Sequence, residues 1–291
     1  MRIGEAYGPG KFGLSFELFP PKSPSGEEEL FHHVARLQEF RPDYITCTYG
    51  AGGSTRHKTL DIVEQVNARF GCPVASHLTC VGSTADELRE YLREASRRGI
   101  GNIVALRGDP PQGQTRFTSV AGGLSYANEL VALIRGEFSQ LGIAVAGYPE
   151  THREAPSPEV DLVNLKRKVD AGADIVITQL FYKNDDFFRF RERCERAGIR
   201  VPIIPGILPV TNLAQIERIV GLCGATLPPG FQAAFARSGG TPEDQFRVGV
   251  DFATRQVREL VESGVPGMHF YVLNKSRATT DVLNAVRLPR R

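Results

Sequence analysis

The sequence predicts an α/β fold, a closed (β/α)8 barrel of the TIM type, as one domain over residues 1–291 with 1–13 as an N-terminal extension. Short apolar runs alternate eight times with longer amphipathic ones, and the 291-residue length suits one such barrel. Nearly all of the apolar runs lack polar alternation, as expected of strands buried on both faces of a parallel sheet. An open doubly wound sheet is the alternative for the same units, but eight of them in this length close most economically into a barrel.

The strand candidates are Leu14–Phe19, Tyr44–Tyr49, Val74–Thr79, Ile103–Leu106, Ile143–Tyr148, Ile175–Leu180, Val201–Pro205 and Met268–Val272. They are short and rich in Val, Ile, Phe and Tyr, which favours strand over buried helix. Helix starts are marked by two expected capping boxes, Ser25-Gly26-Glu27-Glu28 and Thr84-Ala85-Asp86-Glu87. Thr241-Pro242-Glu243-Asp244 adds a proline suited to the first helical position. Glycine follows the periodic stretches at Arg98-Gly99, Ala171-Gly172 and Ala197-Gly198. Asp109–Gly123 and Leu227–Gly240 read as the longest irregular stretches, the first of them on the active face.

Hydrophobic residues make up 41% and charged residues 23%, and 35 basic against 33 acidic groups leave a net charge of +2. That balance gives no reason to expect nucleic acid or a membrane as partner. No apolar run approaches the roughly 20 residues that span a bilayer. The N-terminus lacks a secretory apolar region, so a cytoplasmic location is expected. Cys47, Cys72, Cys80, Cys194 and Cys223 are odd in number and form no C-x-x-C pair, so buried reduced thiols are expected. The histidines show no H-E-x-x-H spacing, and no metal is expected. Gly8-Pro9-Gly10-Lys11-Phe12-Gly13 fits G-x-G-x-x-G but precedes the first strand, so it is no dinucleotide fingerprint.

Active sites of such barrels lie at the C-terminal strand ends, and polar groups stand at nearly every one. They include Glu17, Thr48-Tyr49-Gly50, His77 with Thr79, Arg107-Gly108-Asp109, and Tyr148 to His152. Thr178-Gln179, Tyr271 and Asn274 continue the series. Glu17 sits among Phe16, Leu18 and Phe19, where burial favours the neutral carboxyl, so a raised pKa and an acid role are expected; an ion pair is the alternative. His77 is equally readable as a satisfied core histidine, and Arg107 with Asp109 as a rim salt bridge. Asp161, Asn164, Arg167 and Lys168 share nearby faces of one helix, either a solvated surface or a grip for a phosphorylated cofactor. Gly50-Ala51-Gly52-Gly53-Ser54 stands between a strand and a helix, readable either as backbone N–H groups that meet a cofactor or simply as a tight βα turn.

Nine blocks in order resemble the methylenetetrahydrofolate reductase family, in its short bacterial form without a regulatory domain. They are Ser15–Pro21, Thr48–Gly50, His77–Cys80, Leu106–Pro110, Tyr148–Glu150, Asp161–Gly172, Ile177–Gln179, Pro202–Val210 and His269–Asn274. The resemblance implies a barrel carrying FAD, reduced by NADH or NADPH, that converts methylenetetrahydrofolate to methyltetrahydrofolate for methionine synthesis. By resemblance, Glu17 protonates the folate amine to open its five-membered ring, and Asp109 lies beside flavin and folate to stabilise the cationic intermediate. FAD contacts implied are Tyr49, Ala51, His77, Arg107, Gly108, Asp109, Ala127, Tyr148, His152, Ala155, Asp161, Asn164, Arg167 and Lys168, and Thr48 faces the nicotinamide. Gln179 contacts nicotinamide and pterin, and Gln215 and Lys275 contact the folate.

Two positions depart from the family pattern: Ile219 replaces a stacking aromatic, and Lys275 replaces an arginine. A homo-oligomer is expected from the family. Rival readings are a flavin barrel of the proline-dehydrogenase type and a flavin- or folate-binding subunit that does not itself use nicotinamide.

Overall fold

Every strand pairing found is parallel, and the pairings run round a closed barrel. The computed structural model describes residues 1–49, 56–110, 113 and 117–290, excepting the side chains of Arg56, His57, Arg218 and Leu222. The strands are β1 (Gly13–Leu18), β2 (Tyr44–Cys47), β3 (Val74–Thr79), β4 (Asn102–Leu106), β5 (Gly142–Gly147) and β6 (Ile175–Thr178). The seventh barrel position is split into β7 (Ile203–Ile204) and β8 (Gly206–Ile207), and β9 (Gly267–Tyr271) completes the ring. The break falls at Pro205, which has no N–H to give a ladder. β7 pairs with β6 and β8 with β9, while the Pro205 carbonyl accepts the His269 N–H at 3.0 Å. The open doubly wound alternative is thereby excluded.

Several expected strands run too far. Phe19, Thr48, Tyr49, Tyr148, Gln179 and Leu180 lie beyond the ladders because the backbone turns there into the βα loops of the active face. The period of two then sorts the side chains. Leu14, Phe16, Leu18, Ile103, Ile143, Val145, Met268 and Phe270 pack outward against the helices. Tyr44, Ala75, Val104, Ala144, Ile175 and Ile204 fill the barrel itself. Each large apolar side chain fully buried this way stabilises the fold by about 1.5–3 kcal/mol.

The N-terminal residues close the bottom of the barrel. A 3-10 turn, Ile3–Ala6, buries Ile3 and Ala6 with Tyr7 in the interior cluster, and Asn102 Oδ1 accepts the Ile3 N–H at 2.6 Å.

Helix α1 (Pro24–Gln38) starts earlier than expected. Pro24 takes the first helical position, so Ser23 is the cap and accepts the Gly26 N–H at 3.2 Å; the Ser25 box is not formed. Helices α2 (Arg56–Phe70) and α3 (Ala85–Arg97) follow, and α3 opens on the expected box: Thr84 Oγ1 accepts the Glu87 N–H at 3.2 Å and Glu87 Oε2 accepts the Thr84 N–H at 2.8 Å. Next come α4 (Ala127–Glu137), α5 (Pro158–Asp170), α6 (Asn184–Arg196) and α7 (Leu213–Cys223).

The stretch expected to be irregular after Leu227 instead contains α8 (Pro229–Arg237). Its Phe231 and Phe235, one turn apart, bury against Tyr182 and against Phe252 of α9 (Pro242–Glu262), with Phe231 stacked on Phe252 at 3.9 Å between ring centres. Tertiary burial thus orders a segment whose prolines and glycines suggested a loop. Thr241 caps α9 as expected, and α10 (Arg277–Ala285) ends the fold. Cys47, Cys72, Cys80 and Cys194 are buried free thiols, and Cys223 is a half-buried one. Among the described residues, no helix is long and apolar enough to cross a membrane.

Candidate active site

The inward faces of β1, β3 and β9 converge on Glu17. Ser15 and Glu17 face inward two residues apart on β1, and the ladder sets Ser15 beside His269 and Glu17 beside Tyr271. Glu17 is only 7% exposed. His77 Nε2 on β3 lies 3.2 Å from Glu17 Oε2, and His269 Nε2 lies 3.5 Å from the same oxygen. Burial by itself would raise the Glu17 pKa, but the two imidazoles outweigh it and bring it down to about 2. The expected raised pKa is therefore corrected: in the free protein this carboxyl is ionised, because its surroundings hold two imidazoles as well as apolar side chains. Burial, and then the Glu17 charge, push the Cys47 thiol up. His269 is fixed from behind, its Nδ1 2.8 Å from Ser15 Oγ, and the Tyr271 hydroxyl donates to the Thr178 carbonyl at 2.7 Å.

The loops around Glu17 are strapped together. Asn274 exchanges two hydrogen bonds with the backbone of Phe19, at 2.8 and 2.7 Å, joining the ends of β1 and β9. Thr48, half-buried past β2, donates its N–H to Leu18 O at 2.9 Å. Tyr49 is buried edge-on to Tyr91, while Ala51 and the glycines around it lie outside the described residues. Gln179 Oε1 accepts the Leu180 N–H at 2.9 Å, so its amide N–H2 is what it can offer a ligand. Gln215 sits in the first turn of α7, Ile219 one turn further in the cluster with Leu180 and Tyr182, and Lys275 is exposed beyond β9.

A second group lines the mouth above β4 and β5. Arg107 does not pair with Asp109 as a rim bridge: its guanidinium forks onto Glu154 at 2.7 and 2.8 Å and lies 5.1 Å from the Phe117 ring centre. The β5–α5 loop lifts Glu154 over the guanidinium, whereas Asp109 is exposed. Gly108 adopts φ +90°, and a Cβ there would come 2.9 Å from Val81 Cγ1, so the backbone runs close against the end of β3. Tyr148 and His152 meet edge to face at 4.6 Å, and Asp161 Oδ2 accepts the His152 N–H at 3.0 Å. Burial, and then Arg107, lower the His152 pKa. Ala155 follows in the same loop, and Ala127 is the first residue of α4.

On α5, Arg167 donates to Asn164 Oδ1 at 3.1 Å on the exposed face, while Lys168 turns inward. The Lys168 ammonium donates to the Ala146 carbonyl at 2.5 Å and lies 5.9 Å from the centre of the Tyr148 ring. Burial lowers its pKa to about 8, with Asp161 opposing.

A cation held this dry on a carbonyl oxygen, near a second cation at Arg107, fits the diphosphate of a dinucleotide such as FAD. The structure thus joins Glu17 with His77 as one group and Arg107, Tyr148, His152, Asp161 and Lys168 as another. Ser15, His269 and Glu154 belong to the site but were not singled out for it, whereas Tyr271 stands at the strand end where a polar group was expected. Polar residues two apart on two strands of one barrel, Ser15/Glu17 and His269/Tyr271, were the signal for the first two; Glu154 had none.

The family profile described as methylenetetrahydrofolate reductase matches residues 2–287. The 5,10-methylenetetrahydrofolate reductase of Escherichia coli K12 is 41% identical over 267 residues, covering 92% of this chain and 88% of the relative. Methylenetetrahydrofolate reductase (NADH) 1 of Zea mays is 38% identical over 292 residues, and there the chain spans 49% of the relative's length. A solved Clostridium thermocellum protein that binds two copies of 5-methyl-5,6,7,8-tetrahydrofolic acid superposes with a TM-score of 0.61 at 15% identity, covering 94% of each chain, which is likeness of fold. By the match along nearly its whole length, this chain belongs to the methylenetetrahydrofolate reductase family.

Proposed function

We propose that this chain reduces 5,10-methylenetetrahydrofolate to 5-methyltetrahydrofolate at the barrel mouth, with FAD as resident cofactor and NADH or NADPH as electron donor. The observation that carries the reading is Glu17, ionised between His77 and His269 at the C-terminal end of β1, in a chain of this family. FAD, when bound, supplies the carrier through which hydride passes from the nicotinamide to the folate.

The chain's own groups do the rest. Arg107 and Lys168 offer charge to the diphosphate, with Tyr49, Ala51, Ala127, Tyr148, His152, Ala155, Asp161, Asn164 and Arg167 around the same cofactor. Glu17 Oε2 delivers a proton to the folate amine nitrogen. Since Glu17 is ionised in the free protein, it takes up a proton before it gives one, and the Nε2 atoms of His77 and His269 face the same oxygen. Asp109 supplies a negative charge that stabilises the cation ring opening creates. Thr48 and Gln179 present hydrogen-bonding groups to the nicotinamide and pterin, and Gln215 and Lys275 to the rest of the folate. Residues 1–291 act as one catalytic unit, in the cytoplasm and as a homo-oligomer, and the methyl product feeds methionine synthesis.

An anaerobic visible spectrum tests this. A flavin band that bleaches with NADH or NADPH and returns on adding methylenetetrahydrofolate is the expected result. A protein that takes up no FAD, or whose reduced flavin ignores the folate, contradicts it.

A further inference from the structure

The loop that joins β5 to α5 also holds the end of α7. Arg153 donates from Nη1 to the Gly221 carbonyl at 2.7 Å. Glu150 of the same loop accepts the Thr226 N–H with both carboxylate oxygens, at 3.0 and 2.9 Å. One loop thus grips the chain on either side of Cys223, where α7 stops.

That end of α7 is weakly held by its own residues. Its last turn has no basic side chain, and glycine stands both at Gly221 and at the left-handed cap, Gly224 at φ +75°. The helix ends at Cys223, so the Gly221 carbonyl has no N–H four residues on inside it. The Arg153 guanidinium meets that carbonyl, and its charge suits the negative end of the helix dipole. A Cβ on Gly224 would stand 3.0 Å from Arg153 Cγ, so the stem of Arg153 lies against the cap. The other end is held from elsewhere: Asn212 Oδ1 accepts the Gln215 N–H at 2.7 Å, and Gln245 Oε1 of α9 accepts the Leu213 N–H at 3.1 Å.

The loop is itself pinned from two more sides. Arg193 of α6 donates to the Pro149 carbonyl at 3.3 Å, and Asp161 of α5 accepts the His152 N–H at 3.0 Å. Thr151 between them takes φ +84°, which a β-branched residue adopts only where its surroundings hold it there. A loop fixed in this way is a firm support for α7, the helix that carries Gln215 and Ile219. Thr211 Oγ1 donates to Gln215 Oε1 at 3.0 Å, so the Gln215 amide N–H2 is what it can offer a ligand.

We propose that Arg153 and Glu150 are positioning residues for folate binding: from the flavin-side loop they fix the C-terminal end of α7, and with it the placement of Gln215 and Ile219. The proposal rests on the functional reading above, in which α7 contacts the folate.

The test uses FAD-loaded protein as wild type, Glu150→Ala, Arg153→Met and Arg153→Lys. Amide hydrogen exchange reads α7, and steady-state kinetics read the folate. Arg153→Met keeps the stem over Gly224 and loses the cation, whereas Arg153→Lys keeps the cation. Faster exchange in the last turn of α7 is expected in Glu150→Ala and Arg153→Met. In the same two variants KM for methylenetetrahydrofolate rises several-fold while kcat stays near its wild-type value, the mark of lost substrate binding. Arg153→Lys lies close to wild type in both readings. Unchanged exchange in α7, faster exchange with an unmoved KM, or an Arg153→Lys as impaired as Arg153→Met overturns the proposal. If wild type proves unable to reduce folate, the functional reading fails instead, and exchange in α7 still decides whether Arg153 and Glu150 hold the helix.

Discussion

His77 Nε2 stands 3.2 Å from Glu17 Oε2, reaching from β3 past β2 to a carboxylate on β1 that His269 approaches from the other side. A buried carboxylate flanked by two imidazoles can receive a proton at the moment its own is given up. Glu17→Gln keeps shape and polarity but cannot carry that proton. The variant is expected to bind FAD and to be reduced by NADH or NADPH as wild type is, with folate reduction falling about 100- to 10,000-fold. Stopped-flow mixing of the two half-reactions reads both. Equal slowing of the two would remove Glu17 from the proton step.

The same contacts make stability depend on acid. Glu17 has a folded pKa of about 2 against an ordinary value of 4.5. A depressed carboxyl contributes stability that is present above the ordinary value and lost as pH falls toward the folded one. Wild type is therefore expected to lose about 3 kcal/mol of this contribution between about pH 4.5 and pH 2. Urea unfolding of Glu17→Gln across that window should show a shallower decline than wild type.

The barrel was legible because its cause is periodic. Apolar strands buried on both faces leave a run of Val, Ile and Phe in the sequence whatever their register. The split at Pro205 was not, since a change of hydrogen-bonding partner depends on where β6 and β9 stand on either side of it. Helix α8 was hidden for a similar reason: Phe231 and Phe235 are helical only because Tyr182 and Phe252 are there to cover them. At the site, Glu17 was legible as a carboxylate in an apolar strand. The sign of its pKa shift was not, because His77 and His269 come from strands 60 and 252 residues away (77 − 17 and 269 − 17). Arg107 was found, but its partner Glu154 is 47 residues distant and is set by a loop, not by a repeat.

Lys168 predicts a pH dependence of cofactor binding. Burial lowers its pKa to about 8, so in the free protein the ammonium is lost as pH rises through that value. FAD affinity is expected to be steady below about pH 7 and to weaken above about pH 8, where an anionic diphosphate would have to reprotonate the amine. Lys168→Arg keeps its charge at every working pH and should flatten that decline. Fluorescence titration of FAD between pH 6 and 10, taken as roughly two units either side of this value, checks both. A wild-type affinity flat through pH 8 would exclude Lys168 as the titrating contact.

Gly108 predicts a cost in folding. At φ +90° its backbone is strained for an L residue, and a Cβ there would press on Val81 Cγ1 at 2.9 Å and on Thr79 Cβ at 3.1 Å. Gly108→Ala is expected to lower stability by about 1–3 kcal/mol and to loosen FAD, because the displaced segment carries Arg107 and Asp109. Thermal unfolding with and without added FAD separates the two effects, and an unchanged Tm would show that the turn relaxes freely.

Arg107 and Glu154 make the last prediction. Two parallel charge-assisted bonds at 2.7 and 2.8 Å fix the plane of the guanidinium at the edge of the mouth. If that guanidinium meets the FAD diphosphate, Arg107→Ala removes a charged contact and should weaken FAD binding about 10- to 100-fold, from the roughly 1.5–3 kcal/mol of such a bond. Glu154→Gln leaves the cation in place and takes away a competing negative charge. It should change FAD affinity by less than about tenfold, with any change toward tighter binding, because an exposed ion pair is worth about 1 kcal/mol or less. Equal weakening by both variants would instead mean that Glu154 is needed to aim Arg107. Arg107→Lys separates the cases: it keeps the charge and loses the fork, so it follows wild type if charge is what counts and Arg107→Ala if the fixed plane is.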